Sequence, residues 1–181
     1  GQFPHNPEPL PENLTEISKQ IKAQGADVGF VVDPDVDRLC MVCEDGEMFG
    51  EEYTLVAIAD YVLKHTKGNT VSNLSSTRAL RDVTEKNGGE YFAAAVGEVN
   101  VVNMMKTKNA VIGGEGNGGA IYPPSHYGRD ALVGIALFLS HFATSGLASC
   151  AALRASYPNY YMSKNKIELT PTIDVDDILM K

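Results

Sequence analysis

From residue 51 to residue 158, short stretches that read as strands alternate regularly with longer ones whose apolar residues return at helical spacing, and no other feature restricts the fold as tightly. A helix through His65 is apolar on most sides (Leu55, Val56, Ile58, Val62), the turn Lys67-Gly68-Asn69 follows, and residues 70–74 read as a strand. The next helix covers 77–87, burying Leu80 and Val83 and exposing Arg81, Asp82 and Glu85, until Gly88-Gly89 ends it. Strands at 90–96 and 110–113 flank a helix bearing Val99, Val102 and Met105, and Asp130 caps a last apolar helix through Leu139. Parallel strands need long crossovers, and helices that fill them cover the sheet. The expected class is therefore α/β: a mixed, largely parallel sheet with helices on both faces.

The flanks read differently. Residues 1–14 carry four prolines and form an extended segment entering a fold already under way. Asn13 or Thr15 caps a short amphipathic helix through Ile17 and Ile21, which Gly25 terminates. Residues 28–32 form a buried strand that stops at Asp33, residues 39–43 form a second, and Glu44-Asp45-Gly46 turns into a third short one. Past Pro158 come a polar linker, a strand at 166–169 and an acidic helix start at 174–177.

Charge and cysteine usage narrow the function classes. With 15 Lys and Arg against 23 Asp and Glu, the formal charge of -8 argues against nucleic acid as the main partner. The longest apolar run, 131–139, is far below the roughly 20 residues of a membrane span, so no membrane association is expected. Cys40, Cys43 and Cys150 are too few and odd in number for a disulfide framework, which suits a reducing, cytoplasmic setting.

The sharpest chemical feature is Asp33-Pro34-Asp35-Val36-Asp37-Arg38, three alternate carboxylates directly after a buried strand. Neighbouring like charges repel unless a cation neutralises them, and oxygen-only ligands suit Mg²⁺ or Ca²⁺. A solvated acidic turn is the alternative. An EF-hand loop is excluded because Arg38 stands where that loop needs Gly, and because a strand rather than a helix precedes it. An aspartyl-nucleophile phosphatase matches Asp33-Pro34-Asp35 but leaves Asp37 and Arg38 unexplained. Cys40 and Cys43 face opposite sides of a strand and read as small core residues.

Residues 113–119 read GGEGNGG, with the dinucleotide spacing at Gly114, Gly116 and Gly119. That fingerprint must open a helix, and Pro123-Pro124 forbid one. What remains is a glycine-rich turn presenting Glu115, an acceptor, and Asn117, a donor and acceptor, a pair that matches the vicinal hydroxyls of a sugar. A flexible surface turn is the alternative.

Together these pieces resemble the α-D-phosphohexomutase family. The segment Phe3-Pro4-His5-Asn6-Pro7-Glu8-Pro9 looks like the F-P-x-H-x-P-x-P stretch of its second domain, and Asp33 to Arg38 match its metal loop D-x-D-x-D-R. Val96-Gly97 resembles a V-G turn of the third domain, and residues 114–119 lie where the family has its sugar loop G-E-x-S-G-H, with Asn117 in place of Ser and Gly119 in place of His. Pro34 and Val36 replace glycines of the metal loop. The family's phosphoserine motif and its fourth-domain phosphate loop are not in this sequence.

The resemblance implies residues 1–50 as the end of domain 2, 51–158 as domain 3, and 159–181 as a linker with the start of domain 4. It implies an isomerase that moves phosphate between the 6- and 1-positions of a hexose, with glucosamine phosphate favoured over mannose and glucose phosphates. It also implies that the phosphoryl group passes through a phosphoserine and a bisphosphorylated intermediate. Asp33, Asp35 and Asp37 would hold Mg²⁺, Arg38 would serve as a catalytic cation, and Glu115, Gly116, Asn117 and Arg129 would bind the substrate. Domains 1 and 4 are implied as partners, and the chain alone is expected to be inactive. For Arg38 a structural ion pair, and for Arg129 a surface salt bridge, are the plainer readings. The roles of Ser75, Ser76, Glu98 and Asn100 stay open, helix capping serving Ser76 equally well. A non-catalytic divalent-metal module, resting on the acidic loop alone, is the alternative class.

Overall fold

The computed structural model describes residues 2–3, 6–9 and 11–163. The expected strand at 166–169 and helix start at 174–177 lie outside the described residues, as do Pro4 and His5.

A 3₁₀ turn, Pro11–Asn13, leads into helix α1, Thr15–Gln24, which Gly25 closes in the left-handed conformation at φ 65°. Neither Asn13 nor Thr15 caps it; the cap position falls to Leu14, whose buried side chain has no acceptor to offer the helix N–H groups. Strands β1, Val28–Val32, and β2, Leu39–Cys43, pair antiparallel in a two-stranded sheet. The expected third strand is reduced to one bridge at Met48, because the chain turns away at Gly50, φ 95°, to enter the next helix.

Helix α2, Glu51–His65, then packs against nearly everything. Its apolar residues point in all directions because the β1–β2 ribbon, the main sheet and later helices enclose it, and its buried Thr54 hydroxyl donates to the Leu39 carbonyl at 3.1 Å. Strand β3 is Asn69–Asn73, helix α3 Ala79–Lys86, strand β4 Tyr91–Ala94, helix α4 Glu98–Lys108 and strand β5 Ala110–Gly114. Strand β6, Ala120–Ile121, is followed by helices α5, Ala131–Thr144, and α6, Cys150–Ala155. Asp130 caps α5 as expected, accepting from the Val133 N–H at 3.0 Å.

The main sheet runs β4-β3-β5-β6, with β3 parallel to both neighbours and β6 antiparallel to β5. The chain steps from β3 outward to β4 and then back past it to β5. Crossovers of one hand in opposite directions must lie on opposite faces. Accordingly α3 brings Leu80 and Val83 to the core shared with α2, α5 and α6, whereas α4 covers the other face with Val101 and Met105. Within α4, Val101 rather than Val99 faces inward, and Val99 is exposed.

Two buried arrangements bear on stability. Cys43 and Cys150, which the sequence does not link, sit with sulfurs 3.4 Å apart, and the adjacent Glu44 accepts from the Ala151 N–H at the start of α6. Between α2, α5 and the residues after α6, Asp60 Oδ2 lies 3.0 Å from Lys64 Nζ, 3.3 Å from His141 Nε2 and 3.2 Å from Tyr157 Oη, and the His141 and Tyr157 atoms are themselves 2.7 Å apart. Burial alone raises a carboxyl, but here the His141 and Lys64 contacts hold Asp60 well below the carboxylate range. Burial, followed by the Asp60 charge, pushes the Tyr157 phenol up.

Candidate functional site

The acidic loop leaves β1 at Asp33 and folds back through Val36, which takes the left-handed conformation at φ 59°. Its shape is fixed from three sides. Asp33 Oδ1 accepts from the N–H groups of Asp37 and Arg38 at 3.1 and 3.0 Å. The Val36 carbonyl accepts the Ala131 N–H at 3.0 Å, one of the α5 amides left without an intrahelical partner. Carboxylate oxygens of Asp33, Asp35 and Asp37 come within 4.8 Å of one another, graded from buried Asp33 to exposed Asp35. Burial pushes the Asp37 carboxyl up to about 6, with Asp33 and Asp35 adding repulsion and Arg129 opposing both. Burial acts in the same sense on Asp33, but the Arg38 and Asp37 donors outweigh it and its carboxyl lies below the usual value.

This donor set fits a hard divalent cation. All the ligand atoms are carboxylate oxygens, and Asp37 Oδ1 is buried with no hydrogen-bond partner, which is costly for a charged acceptor. Arg38 lies beside the loop, with Nε 3.4 Å from Asp33 and 3.7 Å from Asp37 and Nη1 3.1 Å from Glu8. The structural ion pair and a position at the cation site thus coincide. Among the described residues the cluster Cys43, Glu44 and Cys150 is the other group of suitable side chains. Its donors are a different matter, since the neighbouring Cys43, followed by burial, pushes the Cys150 thiol far up, away from the thiolate a metal requires.

The glycine loop is a packed element, which replaces the flexible-turn alternative. Glu115 is 5% exposed, and the Leu39 N–H donates to the Gly118 carbonyl at 3.1 Å, fastening this loop to β2 directly behind the acidic one. At Gly118, φ 89°, a Cβ would fall 2.3 Å from the Leu39 carbonyl oxygen, so only glycine fits. Asn117 Oδ1 accepts from the Gly119 N–H at 3.2 Å and shapes the turn.

Both oxygens of Glu115 are held. Oε1 accepts from Asn73 Nδ2 at 2.7 Å, and the Asn73 amide oxygen in turn accepts from Ser76 Oγ at 2.7 Å. Oε2 accepts from Arg129 Nη1 at 2.9 Å. Arg129, 14% exposed in its side chain, also reaches Glu98 through Nε at 3.1 Å and Asp37 through Nη2. A surface salt bridge does not describe it: one guanidinium gathers carboxylates from the acidic loop, the start of α4 and the glycine loop.

The expected residues are therefore brought to one edge, where the carboxyl ends of β3 and β5 meet the end of β1. Ligands of open α/β sheets bind at such edges. Sequence reasoning missed Asn73 and left Glu98 open. Nothing in the sequence set Asn73 apart, because Asn69, Thr70 and Ser72 of the same strand are polar as well; Glu98 carried no signal beyond its place after Gly97. Ser75 lies beside Gly116, whose Cβ would fall 2.4 Å from the Ser75 carbonyl oxygen. Asn100 donates to the Val96 carbonyl at 2.9 Å, a local bond at the start of α4.

Comparison with known proteins draws on most of the chain. The model of phosphoglucomutase/phosphomannomutase alpha/beta/alpha domain III matches residues 50–160, and that of domain II matches residues 1–46. A relative from Thermococcus kodakarensis named phosphoglucomutase/phosphomannomutase is 36% identical over 168 residues, 92% of this chain and 37% of its own length. One from Sulfurisphaera tokodaii named phosphoglucosamine/phosphogalactosamine mutase is 30% identical over 178 residues, 97% of this chain and 39% of its own. The crystal structure of a phosphoglucomutase/phosphomannomutase family protein from Burkholderia thailandensis aligns with a TM-score of 0.74 at 29% identity, over 86% of this chain and 34% of that one. The chain thus spans less than two-fifths of the length of these relatives. Among the described residues no helix is long and apolar enough to cross a membrane.

Proposed function

Because this chain belongs to the phosphoglucomutase/phosphomannomutase family, we propose that it forms part of a phosphohexomutase interconverting hexose 6- and 1-phosphates, with glucosamine phosphate as the favoured substrate. The observation that carries this reading is the convergence of the acidic loop and the glycine loop on one guanidinium, that of Arg129. A metal-binding module without catalysis would have no need of a buried carboxylate clamp beside its cation. The amino-sugar preference is supported by the name of the Sulfurisphaera relative, with mannose and glucose phosphates next.

In this reading residues 1–50 close domain 2, residues 51–158 form domain 3 and residues 159–181 begin the passage to domain 4. Domains 1 and 4 of the full-length cytoplasmic protein supply the phosphoserine and a second phosphate site. Asp33, Asp35 and Asp37 would hold Mg²⁺, whose positive charge would offset that of a phosphoryl group in transfer. Arg38 adds a fixed cation at the same phosphate, its position set by Asp33 and Glu8. Glu115 accepts from sugar hydroxyls through the lone pairs that Asn73 and Arg129 leave free, and Arg129 holds it in place. Asn117 keeps its Nδ2 donors for a hydroxyl oxygen, and Gly116 lets the sugar approach the backbone.

The test is a coupled mutase assay on the full-length protein with glucosamine, mannose and glucose 6-phosphates, a hexose 1,6-bisphosphate activator and Mg²⁺. Glu115→Gln is expected to lower kcat/KM by about one to two orders of magnitude, matching roughly 1.5 to 3 kcal/mol for a charged acceptor to buried hydroxyls. Asp35→Asn and Asp37→Asn are expected to raise the Mg²⁺ requirement. A Glu115→Gln enzyme within threefold of wild type, or Mg²⁺ dependence untouched by both aspartate changes, sinks the assignment.

A further inference from the structure

Arg129 has three guanidinium nitrogens, and each is taken by a different carboxylate: Nη2 by Asp37, Nε by Glu98 and Nη1 by Glu115. Three acids on one base leave a net negative cluster, so the guanidinium is shared among competitors. Its partner in the acidic loop, Asp37, is also the carboxylate whose other oxygen, Oδ1, is buried without a hydrogen-bond donor. The two loops it joins are otherwise tied by main-chain contacts through Leu39 and Ala131.

We propose that Arg129 is a positioning residue that competes with a divalent cation for Asp37 and thereby couples cation binding in the acidic loop to the hold on Glu115 in the glycine loop. The inference rests on the metal reading above and adds to it a sign and a route. A cation drawing on Asp37 weakens the Arg129 contact there, and the guanidinium then settles more firmly on Glu98 and Glu115. By linkage, neutralising Glu98 or Glu115 returns Arg129 to Asp37 and makes the cation bind less well. Effects of opposite sign at these positions also follow from the fixed field of the charges, so the coupling is read from their non-additivity.

The experiment measures cation affinity directly, without turnover, on the full-length protein at physiological ionic strength. Mn²⁺ serves as the probe, read by electron paramagnetic resonance and displaced by Mg²⁺, with circular dichroism confirming the fold of each variant. Arg129→Gln is expected to tighten Mn²⁺ binding about fivefold, since a positive charge and a rival for Asp37 both disappear. Glu115→Gln and Glu98→Gln are expected to weaken it about threefold each, and both effects should shrink below about 1.5-fold when Arg129→Gln is already present. Should Arg129→Gln not fold, Arg129→Lys takes its place, because a single ammonium cannot span three carboxylates. Unchanged or weaker Mn²⁺ binding in the Arg129 variant, or effects that simply add, overturns the coupling while leaving the metal loop intact. Absence of displaceable Mn²⁺ binding in the wild-type full-length protein overturns the coupling and the metal assignment together.

Discussion

Replacing Asp60 by asparagine removes one negative charge from the middle of a buried polar cluster and changes little else in volume. The carboxylate receives Lys64, His141 and Tyr157 on Oδ2, with Asn87 Nδ2 at 3.5 Å from Oδ1. The Lys64 side chain is 50% exposed, so that ion pair counts for little. The Tyr157 and His141 contacts are buried, and a hydrogen bond to a charged group is worth about 1.5 to 3 kcal/mol. An asparagine also turns an NH₂ group toward donors or leaves them unpaired. The expected loss at pH 7 is about 3 kcal/mol, which at a urea dependence near 2 kcal/mol per molar moves the unfolding midpoint down by roughly 1.5 M.

The pH dependence has a definite sign. The Asp60 carboxyl in the folded chain lies below its unfolded value, so its stabilisation is fully present above about pH 5. It fades as the pH falls through the unfolded value near 4 toward the lower folded one. Urea titrations of wild type and Asp60→Asn followed by far-UV circular dichroism, at pH 7 and pH 3.5, should therefore show a gap that narrows in acid. A variant within 1 kcal/mol of wild type at pH 7, or a gap that widens on acidification, refutes the account of the cluster.

Gly118→Ala is expected to lower stability by more than about 2 kcal/mol in thermal unfolding, because the new methyl meets the Leu39 carbonyl at a positive φ; a neutral outcome would mean that the glycine loop does not pack on β2. The three cysteines, each no more than 3% exposed, should resist an aromatic disulfide reagent at pH 8 in native buffer and react at once in denaturant. Burial pushes the Cys40 thiol up to about 11, so rapid native labelling there would contradict its placement.

Local signals made much of this fold readable. Strands β1 and β2 occupy the residues that their apolar runs mark out, and Asp130 caps α5 as its place before an apolar stretch requires. Helix α3 starts at Ala79, later than its periodicity indicates, because Ser76 bonds Asn73 and Thr77 accepts the Ala79 N–H instead of continuing the helix backward. Strand β6 is two residues long and α6 six, too short for either period to register. At the site, the aspartates and Glu115 announce themselves by local chemistry. The grip of Arg129 on Glu98 and the meeting of Cys43 with Cys150 join residues 31 and 107 positions apart. Only tertiary packing brings them together.

The β1–β2 ribbon has a practical consequence for anyone recombining relatives of this protein. By sequence the ribbon falls in the stretch matched to domain II, which ends at residue 46, while domain III begins at residue 50. By packing, Leu39, Met41 and Cys43 share one apolar core with α2, α5 and α6. A chimera spliced between residues 46 and 50 would set one parent's ribbon against the other parent's helices, mismatching a close-packed interior where a single methylene is felt. A graft that carries residues 28–158 as one block keeps the ribbon, both loops and their shared guanidinium from a single parent.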